Sequence, residues 1–186
     1  TNAGHVASQL GDVLPLIVDG GDCNVGIEST VVDVTGSSPV ILRPGMISET
    51  AIRGALAAGT SGTGTESPAS SDGVLRSPGL LERHYSPRAR LIMGSWQDED
   101  GLGQLMNDQG IDPHRACIIA HTRVPLDGRF PHVMLIPDDA EAFARALYAE
   151  LHRCDEMGVE WIVVEALPET PDWAGIRDRL RRASAR

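Results

Sequence analysis

The sequence predicts an α/β chain whose second half folds around a small, mainly parallel sheet, and three observations lead to that expectation. From Arg90 onward, short β-branched runs alternate with stretches of helical periodicity, the pattern of strands covered by helices. Trp161-Ile-Val-Val-Glu165 is a nearly continuous apolar run, as a central strand covered on both faces requires. Residues 59 to 73 are largely Gly, Ser, Thr and Pro, a composition with too little apolar surface to build a core, and they read as a linker between two units.

Each element has its own signal. Ala3 to Leu10 reads as an opening helix. Leu14 to Val18 reads as a strand ending at Asp19-Gly20-Gly21, Ser29 to Val34 as a second and Val40 to Leu42 as a third, each short, β-branched and bounded by turn residues. Ser48 is placed to cap a short amphipathic helix that carries Ile52 and Leu56 and ends at Gly59. Beyond the linker the expected order is strand Arg90 to Met93, helix Asp100 to Gln109, strand Ala116 to Ala120, strand His132 to Ile136, helix Asp139 to Met157, strand Trp161 to Glu165 and helix Trp173 to Ala185. In the helix from Asp139, the residues Ala142, Phe143, Ala146, Leu147, Leu151 and Cys154 recur at spacings of three and four, a stripe that reads as core rather than as a binding groove. Asp98-Glu99-Asp100 front a helix N-terminus, where negative charge is favourable.

Composition narrows the function. A chain of 186 residues, 41% hydrophobic and 23% charged, suffices for one ordinary domain or two small ones with a packed core. A net charge of -10 argues against a surface that grips nucleic acid as a whole and leaves room only for a weak, local RNA contact. Cys23, Cys117 and Cys154 are odd in number, widely separated and free of CxxC spacing, so they indicate neither a disulfide framework nor a zinc site and fit a reducing, cytoplasmic setting. His114, His121, His132 and His152 are scattered without the spacing of a metal site, and His5 reads as structural. No apolar run approaches the roughly 18 to 20 residues that cross a bilayer, so nothing points to a membrane.

Three segments carry the chemistry: Asp19-Gly-Gly-Asp-Cys-Asn-Val-Gly-Ile-Glu-Ser-Thr-Val-Val-Asp33, Ile41-Leu-Arg-Pro-Gly45 and Ser77-Pro-Gly-Leu-Leu-Glu-Arg-His-Tyr-Ser-Pro87. Gly20, Gly21 and Gly26 permit positive φ or close approach of a ligand, but the Lys-Ser/Thr ending of a phosphate-cradling Walker A loop is absent. Arg43 follows a strand and is stiffened by Pro44. Its planar fork can bond two phosphate oxygens at once, or it can pair with an acid such as Asp33 at the surface. Ser29 can exchange hydrogen bonds with the polar groups of an amino acid, or Ser29 and Thr30 can simply start a strand with local backbone bonds. His84 and Tyr85, in a Pro-bounded stretch after the linker, suit either a lid over a ligand or packing against a domain. Arg177, Arg179, Arg181, Arg182 and Arg186 make the last helix basic; they could touch RNA, but partners of the helix dipole are the simpler reading.

These segments, taken together, resemble the L-threonylcarbamoyladenylate synthase family in its two-domain form, and the resemblance runs along nearly the whole chain. It implies the C-terminal part of a YrdC-like α/β domain over residues 1–58, a linker over 59–88 and a small Rossmann-like α/β domain over 89–186. It also implies a nucleotidyl transfer in which L-threonine, bicarbonate and ATP give threonylcarbamoyl-AMP and pyrophosphate. ATP would enter with Mg2+, and the product would pass to the tRNA threonylcarbamoyltransferase machinery that modifies adenosine 37. Carried over residue by residue, Ser29 would bind L-threonine and Arg43, His84 and Tyr85 would contact ATP. Where many members carry Met-Lys-Tyr, this chain has Leu80-Leu81-Glu82, so a lysine contact there is not expected. The family's Lys-x-Arg element, further threonine-binding groups and Ser-x-Asn element fall before Thr1. The resemblance therefore implies a C-terminal portion with little synthase activity alone, its catalytic residues not assignable. The alternative is a non-catalytic nucleotide- or partner-binding module; a carbamoyl-transfer role in hydrogenase maturation would call for cysteine clusters that are lacking.

Overall fold

The structure is a computed structural model, and it describes residues 1–36, 38–59 and 86–184. The chain packs as two compact units, each drawn from separate stretches: Thr1–Gly26 with Pro87–Ala166, and Ile27–Ser86 with Leu167–Ala185.

The first unit is built on a four-stranded sheet. Its strands are β3 (Arg90–Gly94), β4 (Ala116–Ala120), β5 (Val133–Leu135) and β6 (Trp161–Glu165), in the order β3-β6-β4-β5 and parallel throughout. As its apolar run predicts, β6 is central, paired with β3 on one side and β4 on the other. Parallel strands need crossovers, and helices α3 (Glu99–Asp108) and α4 (Ala140–Met157) supply two of them. Leu102 and Met106 of α3 pack in a core with Ala116, Ile118 and Ala120 of β4, Val163 of β6, and Trp96 and Phe130. Alternation along β4 sends Cys117 to the other face, where it meets Cys154 of α4, and Cys154 in turn lies 3.9 Å from Met134 of β5. Phe143, Leu147, Leu151 and Cys154 of the predicted stripe are buried, joined by Ala144 in place of Ala142 and Ala146.

Helix ends follow the sequence signals. Asp98 and Asp139 cap α3 and α4, their carboxylates accepting the N–H of Gly101 and Ala142, each at 2.8 Å. Gly158 ends α4 in the left-handed region at φ 69°, where a side chain would be strained. The short opening helix α1 (Ala3–Leu10) is capped by Asn2, whose side chain accepts from His5 N–H at 3.0 Å. Its His5 ring stacks on His152 of α4 at 4.4 Å between centroids, and burial, with His152 close by, lowers the pKa of His5.

One expected strand does not form. Leu14 to Val18 makes no sheet pairing, with Val13, Leu16 and Val18 77%, 77% and 80% exposed. Pro15 removes a ladder donor from the middle of the run, and no strand among the described residues lies beside it to satisfy the rest. The turn after it does form: Gly21 adopts φ 90° and its N–H donates to Asp19 Oδ1 at 2.9 Å.

At the C-terminal end of the sheet, Glu165 is 1% exposed and its carboxylate accepts the backbone N–H groups of His121, Thr122 and Arg123 at 2.8, 2.8 and 3.1 Å, together with the Thr122 hydroxyl. Burial opposes ionisation, but these donors outweigh it and hold the carboxyl at about 2. His121 is buried beside it, with Nδ1 2.9 Å from Asp138 Oδ1 and Nε2 3.3 Å from the Ala166 carbonyl.

The second unit holds the antiparallel pair β1 (Val31–Asp33) and β2 (Val40–Arg43), helix α2 (Glu49–Gly59) and helix α5 (Ala174–Ser184). The pairing register shifts by one residue between Val31 and Val32, beside Arg43. Ser48 caps α2 as expected, its Oγ accepting from Ala51 N–H at 3.3 Å. Ile176 and Leu180 of α5 are fully buried.

Two outcomes test this core. Leu147→Ala removes a fully buried side chain from α4 and should cost about 2 to 5 kcal/mol, read as a lower urea midpoint. Glu165 has its folded pKa depressed, so its contribution is present above the unfolded value and lost as pH falls from about 4.5 towards about 2. Glu165→Gln should therefore lower stability at neutral pH and flatten the stability curve across that acid window, as measured by denaturation at a series of pH values.

Candidate functional site

The two predicted site residues that fall within the described structure come together. Arg43 closes β2 opposite Val31, and its Nε and Nη2 donate to the Ser29 carbonyl at 3.3 and 3.1 Å. Ser29 itself is exposed, at the entry to β1. The guanidinium thus takes its orientation from the same residue whose hydroxyl is the candidate amino-acid contact. His84 and Tyr85 lie outside the described residues, as do Leu80 to Glu82 and the linker from Thr60.

Thr30 is more than a strand starter. Its hydroxyl donates to the Ile47 carbonyl at 2.6 Å and accepts the Gly45 N–H at 3.0 Å, joining the start of β1 to the turn after β2. The reason for glycine at 45 is close approach: a Cβ there would lie 2.3 Å from Thr30 N and 2.6 Å from the Glu28 carbonyl oxygen. Gly175 of α5 is constrained from the other side, where a Cβ would come within 2.8 Å of the Gly45 carbonyl oxygen.

That approach brings in residues whose importance the sequence did not signal. Arg179 of α5 is 7% exposed rather than solvated. Its Nε donates to Glu28 Oε2 at 2.7 Å, its Nη1 to the Pro44 carbonyl at 2.6 Å and its Nη2 to the Glu28 carbonyl at 3.4 Å. Neither an RNA contact nor a helix-dipole partner describes it, because its donors point into the unit. Asp178 is 7% exposed beside it, and its carboxylate meets Arg179 at 3.2 Å, Arg181 at 3.1 Å and Arg182 at 2.8 Å. Arg177 donates to the carbonyls of Pro168 and Thr170. The available signal was position: Arg179 lies three residues after the buried Ile176 and next to the buried Leu180, on the apolar side of an otherwise basic helix.

The site is therefore a pair of short strands with an arginine at one edge, an exposed serine beside it and an anion held in place below. Burial disfavours the Glu28 carboxylate, but its own backbone hydrogen bond, Arg179 and then Arg43 outweigh that, so its pKa lies below the usual range. Arg43 in this setting is equipped to meet a phosphate or carboxylate and Ser29 a small polar ligand. Among the described residues no group of three or more His, Cys, Asp or Glu stands close enough to hold a metal ion. No helix among them is long and apolar enough to cross a membrane.

Comparison with known proteins bears on what this arrangement serves. A family model described as threonylcarbamoyl-AMP synthase, C-terminal domain, matches residues 46–185, and one described as telomere recombination matches residues 1–45. The threonylcarbamoyl-AMP synthase of Schizosaccharomyces pombe is 33% identical over 198 residues, covering 100% of this chain and 48% of that protein. The Pyrococcus abyssi and Bacillus subtilis proteins of the same name are 30% and 31% identical, each with 99% of this chain and 53% of its own length covered. The chain spans about half the length of the curated relatives it matches. Among solved structures, P. abyssi Sua5 complexed with L-threonine superposes with a TM-score of 0.75 at 28% identity, covering 99% of this chain and 53% of that one. A variant of P. abyssi Sua5, with an adjacent histidine and tyrosine both replaced by alanine, gives 0.76 at 27% identity, with 99% and 52% covered.

Gly45→Ala tests the close approach directly. The added methyl has only backbone to displace, so the variant should lose about 1 to 3 kcal/mol, seen as a lower thermal midpoint.

Proposed function

The chain belongs to the threonylcarbamoyl-AMP synthase family, and from that premise we propose that it serves nucleotidyl transfer to a carbamoylated amino acid. In this reading the amine of L-threonine bonds the carbon of bicarbonate with loss of water, and the carboxylate of the resulting carbamate attacks the α-phosphorus of ATP. The bond to the bridging oxygen breaks, pyrophosphate leaves, and threonylcarbamoyl-AMP remains. The product would feed the tRNA threonylcarbamoyltransferase machinery in the cytoplasm.

The observation that carries the reading is the Arg43–Ser29 contact within a chain that resembles threonine-bound Sua5. Arg43 would bond the nucleotide's phosphate oxygens, where negative charge grows as pyrophosphate departs, and its bond to the Ser29 carbonyl holds the fork ready. Ser29 would bond the polar groups of threonine. His84 and Tyr85 would close over the nucleotide; the adjacent His-Tyr pair replaced in the Sua5 variant is of the same kind. Mg2+ would enter with ATP, since the described residues offer no carboxylate cage and this ion is commonly held by substrate phosphates. We further propose the division into a YrdC-like portion over 1–58, a linker over 59–88 and a Rossmann-like domain over 89–186.

The test is pyrophosphate release from ATP by the protein that carries this chain, with and without threonine and bicarbonate. Release should require both. Arg43→Ala should lower kcat/KM for ATP by about 10- to 100-fold, as loss of a charge-assisted hydrogen bond predicts, and Ser29→Ala should raise the KM for threonine. Release indifferent to threonine, or absent altogether, would move the binding-module alternative to the front.

A further inference from the structure

We propose that Arg179 is a positioning residue, through which the C-terminal helix α5 holds the two strand ends that carry Ser29 and Arg43. This rests on the functional reading of those two residues given above. Glu28 and Pro44 are the residues immediately before Ser29 and immediately after Arg43. A single guanidinium bonds both: Nε to the Glu28 carboxylate at 2.7 Å and Nη1 to the Pro44 carbonyl at 2.6 Å. One rigid, planar group therefore sets the spacing between the candidate threonine residue and the candidate phosphate residue.

The anchor is itself immobilised. Asp178, whose side chain is only 6% exposed, takes Arg179 Nη1 at 3.2 Å and Arg182 Nε at 2.8 Å, so the fork is held from behind as well as in front. Gly175, one turn earlier on α5, lets the helix backbone approach the Gly45 carbonyl, which brings Arg179 within reach of both strand ends. Glu28 and Pro44 fall in the stretch matched by one family model and Arg179 in the stretch matched by the other. The C-terminal segment thereby acquires a task in the synthase chemistry: it fixes the geometry of strand ends that lie more than a hundred residues earlier in sequence.

Among the described residues, the charges of Arg179 and Arg43 face Glu28, and the acidic Asp178 lies behind Arg179. Removing the fork should leave the two strand ends free to move apart without disturbing the parallel sheet of the first unit, which contains none of these residues.

The experiment compares wild type, Arg179→Met, Arg179→Lys and Glu28→Gln in the protein that carries this chain. It reads amide hydrogen exchange and steady-state pyrophosphate release. In Arg179→Met, exchange at Ser29, Thr30, Arg43 and Gly45 should rise about tenfold or more while the amides of β4 and β6 are unchanged. The KM for threonine should rise by a similar factor. Arg179→Lys keeps the charge but not the fork, so it should restore neither. Glu28→Gln leaves the Pro44 bond in place and should give a smaller change in the same direction; it also provides the reading if Arg179→Met does not fold. Unchanged exchange at the four amides overturns the proposal. So does raised exchange with an unaltered threonine KM in an active enzyme, which would leave Arg179 a purely structural residue. A wild type without threonine-dependent turnover sinks the functional reading instead, and the exchange pattern then decides by itself whether Arg179 holds the strand ends.

Discussion

A buried guanidinium has to find acceptors for its donors, and in the second unit this requirement organises everything around it. Arg179 can be satisfied only if α5 lies close to the turn after β2, and that closeness is possible only because positions 45 and 175 carry no side chain. Thr30 then ties the same turn to the start of β1 through one hydroxyl that both donates and accepts. With so few paired residues in β1 and β2, the ladder alone is a weak scaffold, and polar contacts from outside it supply the definition.

The first unit solves the opposite problem. Its central strands β4 and β6 are buried on both faces, so apolar packing is abundant there and the difficulty lies at the strand ends, where backbone donors emerge. Glu165 takes three consecutive N–H groups from the segment after β4 and so closes the end of the sheet. Trp96 does the same for its indole, donating to the Arg123 carbonyl at 2.8 Å. The buried carboxylate is tolerable because its partners are many and fixed, which is also why it stays ionised far into acid.

Much of the fold could be read in advance where burial leaves a strong pattern. Strands Ala116–Ala120 and Trp161–Glu165 stand where their unbroken apolar runs place them, Ser48 caps its helix as expected, and Asp98 leads the acidic run that fronts α3. The failure at Leu14 to Val18 has a physical cause: β-branched composition describes a residue's fitness for a strand, but a strand exists only with a partner, and Pro15 counts against one. Side-chain partnerships across long sequence distances were not legible. Nothing in a basic helix says which arginine turns inward or which acid, 151 residues away, receives it. Likewise His121, Asp138 and Glu165 show no common spacing and meet only because parallel strands deliver their ends to one edge. Ser29 and Arg43 stand out by their motifs, whereas the bond between them follows from an antiparallel register that no motif displays.

The separation of 151 residues between Glu28 and Arg179 also orders events during synthesis. At ribosomal rates of about 5 to 20 residues per second, the strand ends wait roughly 8 to 30 seconds for the helix that completes them. The parallel sheet can assemble in that interval, because its four strands are all translated before α5. Of the two units, the one bearing the candidate site is thus the later to receive all its elements, because α5 emerges after the whole parallel sheet.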